Sequence, residues 1–244
     1  MINKLLIQSI ISKYYLGENE SVNWVIKDNT LLIDFMTINR EVMGSITCRN
    51  FKLADSTLSI FDTKKLSNLL SITSGDLLLE TEQYKGITIK LNISDPHFNL
   101  TYALADPLLI GKVGTVNEPE WDAILPMVKE DVDNLVKAKS ALADVDNMVV
   151  STELDLNNDM MCKFTFGDEK GHNNKITYQL YGEIKNNQIK IPFNSTHFRN
   201  ILNSNKDLKT GTMYLNNGGI MKLVFENEDT TCEYYVIRKA EDSF

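Results

Sequence analysis

The feature that most constrains this chain is a stretch that occurs twice. Shifting the sequence by 132 positions, without a gap, places Phe61 on Phe193, Leu66 on Phe198, Leu69 on Ile201 and Leu70 on Leu202. The same shift places Gly86 on Gly218, Leu91 on Leu223, Ile93 on Phe225 and Tyr102 on Tyr234. Each copy reads as a short helix with apolar residues at i, i+3 and i+4, followed by a run of strands. A unit this long implies two similar domains, not a solenoid, whose repeats run to roughly 20–50 residues. With 244 residues there is chain enough for two cores of ordinary size.

Read in order, residues 2–15 place Leu5, Leu6, Ile10 and Ile11 on one helical face, with Lys4, Gln8 and Ser12 opposite. That is an amphipathic helix rather than a signal peptide. The period then shortens to that of strands: VNWVIKD, TLLIDFMTI, EVMGSITC and TLSIF. Asp62 is a good N-cap for a helix over 63–71, with Gly75 past its end. Three further strands lead to DPLLIGKVGTVNEP (106–119), which breaks all periodicity and holds two of the five prolines. It is the expected connector, at 107–119, between domains at 1–106 and 120–244. The second half repeats the scheme with strand WDAILPM, a helix over 130–143, and four more strands. A helix over 195–204 follows, capped by Asn194 and bearing His197 and Arg199 outward, and three strands with NNGG as a hairpin turn finish the chain. The expected fold is α+β, two similar domains each made of a repeated strand–helix–three-strand unit.

Composition narrows the function classes. Hydrophobic content of 43% and charged content of 24% are those of a globular protein, and no stretch approaches the ~20 apolar residues of a membrane span. Cys48, Cys162 and Cys232 lie far apart without CxxC spacing, which suits small core residues better than disulfides or zinc ligands. A net charge of −8 opposes general coating of nucleic acid. No Gly-rich phosphate loop, nucleophile elbow or HExxH occurs, so no cofactor and no catalytic group is expected. His97, His172 and His197 fall in or near turns and helix starts and read as surface residues. Asp155, Asn157 and Asp159 imitate the start of a calcium loop, but Met160 and Phe166 stand where glycine and glutamate are needed, so a hairpin turn is the better account.

Several strings then carry a resemblance. EYYVIRKAED (233–242) is similar to the tyrosine-pair strand and acidic end of cellular DNA polymerase sliding clamps, and NEPEW (117–121) sits where those clamps leave their connector. ALADP (103–107) and FGDEKG (166–171) are similar to strings in the clamps of T-even-like bacteriophages. With the order of elements and the twin domains, the whole chain resembles a sliding clamp of the proliferating-cell-nuclear-antigen type or its phage relatives.

The resemblance implies a homotrimeric ring, helices lining the hole and antiparallel sheets outside, which encircles duplex DNA without sequence preference. It implies a non-enzymatic processivity factor in the cytoplasm (the host's, if viral), placed on DNA by an ATP-driven clamp loader to tether the polymerase. The DNA-facing residues would be Lys4, Lys13, Lys64, Lys65, Lys137, Lys139 and Arg199. Edge strands at 98–105 and 174–182 would join subunits near Tyr102, Leu104, Ile176, Tyr178 and Leu180. A partner-peptide pocket would draw on Met36, Met43, Leu108, Leu109, Ile110, Tyr235 and Ile237. Two alternatives stand beside it. One is a β-rich structural or ligand-binding viral protein that encircles no DNA; the other is an enzyme assembled from scattered acids such as Asp34, Glu41 and Asp155.

Overall fold

The computed structural model describes residues 1–167, 174–208 and 210–239, which form two compact units. The first comprises Met1–Ile38, Met43–Gly114 and Glu228–Cys232; the second comprises Asn39–Val42, Thr115–Asn227 and Glu233–Phe244. The strings at 166–171 and 233–242 run past Gly167 and Lys239, and their remainders, like His172, lie outside the described residues.

In the first unit the order is β1 (Ile2–Asn3), α1 (Lys4–Tyr15), β2 (Val22–Lys27), β3 (Thr30–Met36), β4 (Val42–Cys48), β5 (Ser56–Ile60), α2 (Thr63–Ser71), β6 (Asp76–Tyr84), β7 (Ile87–Ser94) and β8 (Asn99–Ala103). Its strands pair antiparallel in the orders β1-β6-β7-β8 and β4-β3-β2-β5. Alternation is clean where one face is covered: Leu31, Ile33 and Phe35 of β3 point inward and their neighbours outward. Trp24 is the centre of this core, edge-on to Tyr14 and to Phe51 at 6.3 Å each.

The buried stripe of α1 differs from the expected one. Ile7, Ile10, Ile11 and Tyr14 form it, at i, i+3, i+4 and i+7, while Leu5 is 72% exposed. Asn3 ends the short β1 and caps the helix by accepting the Leu5 amide at 2.9 Å. Leu5 lies off the face that this stripe defines.

The second unit runs β9 (Ala123–Met127), α3 (Lys129–Ala141), β10 (Asn147–Leu154), β11 (Met160–Gly167), β12 (Lys175–Leu180), β13 (Glu183–Ile184), β14 (Lys190–Asn194), α4 (Ser195–Ser204), β15 (Thr210–Asn216), β16 (Ile220–Glu226) and β17 (Thr230–Ile237). Its orders are β12-β11-β10-β14 and β13-β9-β15-β16-β17. Apart from the two-residue β13, each strand has its counterpart in the first unit in the same order.

The 132-residue shift carries the cap of α2, Asp62, onto the cap of α4, Asn194. It carries Thr63 onto Ser195, both buried, whose hydroxyls donate to the Glu20 and Val145 carbonyls. Leu66 and Leu70, like Phe198 and Leu202, fill the space beneath. Phe61 and Phe193 part company, the first being partly exposed and the second fully buried.

Candidate nucleic-acid and partner interfaces

The cations of the helices fall into two groups. Lys64 and Lys65 on α2 and Lys137 on α3 are exposed, standing opposite the buried stripes of Leu66/Leu70 and Val132/Leu135/Val136. The others are engaged within their units. The Lys4 ammonium donates to the Ser71 carbonyl at 3.1 Å and to that of Thr73, closing the last turn of α2.

Lys13 and Lys139, both candidates for facing DNA, are 1% exposed. Each stands three residues before its helix's C-cap, Leu16 or Leu142. Lys139 folds over the end of α3 and donates to the Leu142 and Ala143 carbonyls at 3.2 and 2.9 Å. Burial lowers its pKa, Asp146 opposes this, and Arg199 adds to the lowering. Lys13 donates to the Ser9 hydroxyl at 2.7 Å. Arg199 is half-buried and donates to Asn200 Oδ1 at 3.1 Å.

His197, expected to point outward, is buried at the start of α4. Its Nε2 lies 3.1 Å from Glu41 Oε2 and 3.1 Å from Asn39 Nδ2, and Glu41 also accepts from Asn194 Nδ2 at 3.1 Å. Asp155 makes the hairpin turn that its neighbours predict: it accepts the Asn157 and Asp159 amides at 2.8 and 2.9 Å, with Asn158 at φ 64°.

In the first unit a cleft of about 250 Å³ opens between the end of β3 and the connector. Met36 and Ile38 line one side, Ile110 and Val113 the other, with Asp34, Glu20 and Lys112 supplying charge. Met36 is paired across the hairpin with Met43, and both are half-buried. Of the residues proposed for a partner pocket, Met36 and Ile110 line this cleft. Leu108 and Leu109, in the 3-10 turn Pro107–Leu109, are 88% and 78% exposed and do not. Asp106 caps that turn through the Leu108 amide, so both leucines are held out by local geometry. Two further lining residues were not among the pocket candidates: Ile38, the last residue of the expected strand TLLIDFMTI, and Val113, a lone apolar residue in the aperiodic connector.

Tyr235 and Ile237 belong to the second unit. Ile237 is exposed, whereas the Tyr235 hydroxyl donates to Glu118 Oε1 at 2.7 Å. Glu118 also accepts from the buried Lys222. Lys222 lies 3.3 Å from Glu233 Oε2 and over the rings of Tyr214 and Tyr235 at 5.9 and 5.3 Å. This knot was not anticipated. Lys222 keeps the sequence alternation between Met221 and Leu223, so it reads as an ordinary outward lysine, and only its burial departs from that pattern.

Among the described residues β8 and β12 each end a sheet. Leu104, Ile176 and Tyr178 are half-buried along them, and the Tyr178 hydroxyl donates to Asp131 Oδ1 at 2.8 Å. Tyr102 and Leu180 instead turn into the cores of their own units, Tyr102 bonding the Asp62 backbone. What these edges present outward is mainly backbone, with Thr101, Thr177 and Gln179 beside it.

No protein-family model matches the chain, and no curated protein matches it in sequence. Solved structures do. Proliferating cellular nuclear antigen from Entamoeba histolytica aligns over 98% of this chain and 96% of its own, with a TM-score of 0.76 and 15% identity. The A. fulgidus PCNA bound to the C-terminal region of FEN-1 aligns over 99% and 98%, with a TM-score of 0.76 and 14% identity. At such identities the likeness speaks for the fold alone, and the fold of this chain is that of the sliding clamps.

Proposed function

We propose that this chain is a DNA polymerase processivity factor, a non-enzymatic clamp that closes into a homotrimeric ring around duplex DNA. The observation that carries the reading is a clamp fold running through nearly the whole of both chains compared. Supporting it are the exposed Lys64, Lys65 and Lys137 on helices of both units of a chain whose net charge is −8. An acidic protein stays on a polyanion by surrounding it, and mobile lysines exchange phosphates without reading sequence. Lys4 and Arg199 add positive field from half-buried positions, and Lys13 and Lys139 from buried ones. β8 and β12, which each end a sheet among the described residues, are the surfaces for ring closure by strand addition between subunits, each covering the other's edge backbone.

The cleft between β3 and the connector is the docking place for a partner's extended segment. One structural neighbour holds the C-terminal region of FEN-1, and a polymerase tail is the corresponding partner here. Loading falls to an ATP-driven loader in the cytoplasm of the cell, a phage-infected host on the phage-like strings.

Incubation with loader and ATP on circular and linear DNA tests the reading. Retention on the circle with run-off from the linear form is expected, as is a solution mass of three chains. Equal retention on both forms overturns encirclement. The triple charge reversal K64E/K65E/K137E should lower loading while leaving the trimer mass intact; unchanged loading moves the DNA-facing surface elsewhere.

A further inference from the structure

The connector is tied down at both of its ends, each within its own unit. At the first end Ile110 is buried in the first unit. At the second, Glu118 reaches the sheet of the second unit, where its carboxylate accepts from Lys222 and from the Tyr235 hydroxyl. Between them residues 111, 112, 114, 115 and 117 are exposed, and the Glu118 side chain itself is about half exposed.

The receiving site is built by three strands. Lys222 rises from β16, Tyr214 from β15, and Glu233 and Tyr235 from β17. Lys222 is buried, so its charge needs partners. Glu233 gives one carboxylate and two aromatic rings give their faces. The second carboxylate comes from outside the sheet, and it is Glu118. Trp121, three residues further on, packs against Tyr214 at 5.6 Å, so the connector's end and this cation share one wall.

We infer that Glu118 is a latch: its carboxylate clips the end of the connector to the second unit, and buried Lys222 is the catch that receives it. Released, residues 111–120 would gain freedom at one end. Held, their path is set before any partner arrives, which lowers the ordering cost of docking. That last consequence rests on the clamp reading; the latch itself does not. Glu118 and Lys222 are thus positioning residues, acting on the connector and not on a ligand.

The test uses the full chain labelled with 5-fluorotryptophan, whose fluorine NMR spectrum holds two signals, from Trp24 and Trp121, assigned with Trp121→Phe. In Glu118→Gln and in Lys222→Met the Trp121 signal should move toward the position of free fluorotryptophan and sharpen, while the Trp24 signal stays. A Trp121 signal unmoved in both variants overturns the latch. Should Lys222→Met unfold the second unit, Glu118→Gln alone decides, since it leaves Lys222 paired with Glu233. The DNA-retention assay separates the two readings. Retention with an unmoved Trp121 signal removes the latch only, and a moved signal without retention on circles removes the clamp reading only.

Discussion

Two residues turn β6 into β7 in the first unit: Lys85 and Gly86, at φ 50° and 81°, bring Tyr84 opposite Ile87. Three residues, Asn217, Gly218 and Gly219, separate the paired Asn216 and Ile220 in the second. Deeper in each hairpin the registers coincide under the 132-residue shift, with Thr81 opposite Leu91 and Met213 opposite Leu223. The missing turn residue reappears as a bulge. The first hairpin's register slips between Glu82 and Gln83, which leaves Ile89 without an opposite number, and the Ile89 carbonyl accepts the Leu104 amide at 2.9 Å. Gly86 and Gly218 align in sequence, yet the glycines in the left-handed region are Gly86 and Gly219. The apolar pairs of the repeat therefore fix register, while turns are free to differ by a residue.

If the helix cores are equivalent, truncating them should cost the most of any change considered. Phe198 stacks on Phe164 at 6.1 Å and is fully buried, so Phe198→Ala should lose about 3–5 kcal/mol. Leu66, its counterpart on α2, should lose about 2–5 kcal/mol on truncation to Ala. Denaturant titrations read each unit separately, through Trp24 emission for the first and Trp121 emission for the second. A loss below about 1 kcal/mol at either site would break the equivalence.

The same contrast explains how much the sequence disclosed. Leu66, Phe198, Leu91 and Leu223 were legible because periodicity registers apolar residues, and all four are core. So were the caps Asp62 and Asn194, since an oxygen-bearing side chain before an apolar stripe serves orphan amides. His197 reads as exposed on the same logic and is buried, and Lys13 and Lys139 are buried too. A polar residue reads as exposed, but a long lysine can bury its stem and satisfy its ammonium on helix-end carbonyls. The cleft was half legible: Met36 and Ile110 fall in it, while the conspicuous Leu108 and Leu109 are turned out by a capped turn. The Glu118–Lys222 pair joins residues far apart in sequence, and such pairing leaves no local trace.

The turns sharpen the comparison at the next scale down. Gly86 has open space where a Cβ would stand, so Gly86→Ala should cost about 1–2 kcal/mol for the left-handed backbone alone. At Gly219, φ 100°, an added Cβ would lie 2.5 Å from Arg238 Cδ and 3.0 Å from its Cβ. Gly219→Ala should therefore cost more, about 2–4 kcal/mol. Equal losses in thermal unfolding would mean that the Arg238 contact relaxes freely.

Caps come third. Asn194 accepts the Thr196 and His197 amides at 3.0 and 3.2 Å and also donates to Glu41, whereas Asp62 accepts the Lys65 amide at 2.7 Å. Asn194→Ala should cost about 2 kcal/mol and Asp62→Ala about 1 kcal/mol. The reverse order, in the same denaturant titrations, would show that the negative charge at the start of α2 outweighs the number of amides held.

The smallest effect should come from one carboxylate in the second unit. The hydrogen bond from Lys222, and after it that from Tyr235, hold the pKa of Glu118 below the ordinary value of about 4.5 against the opposing pull of burial. Because the folded chain binds this proton less readily than the unfolded one, the contribution is complete above about pH 4.5. It is lost as the pH falls through the lowered value. With about half its side chain exposed, Glu118 should contribute no more than about 1 kcal/mol. Acid titration of the Trp121 transition from neutral pH downward should thus fall less steeply in Lys222→Met than in the unmodified chain. The first unit supplies the control. Asp95 is also held low there, first by the His97 amide and then by those of Phe98 and Ser74, so the Trp24 transition should weaken in acid as well. Lys222→Met, however, removes nothing that Asp95 touches. If the substitution flattened both transitions equally, the acid response would belong to the chain as a whole, and the two units could not be read as separate cores.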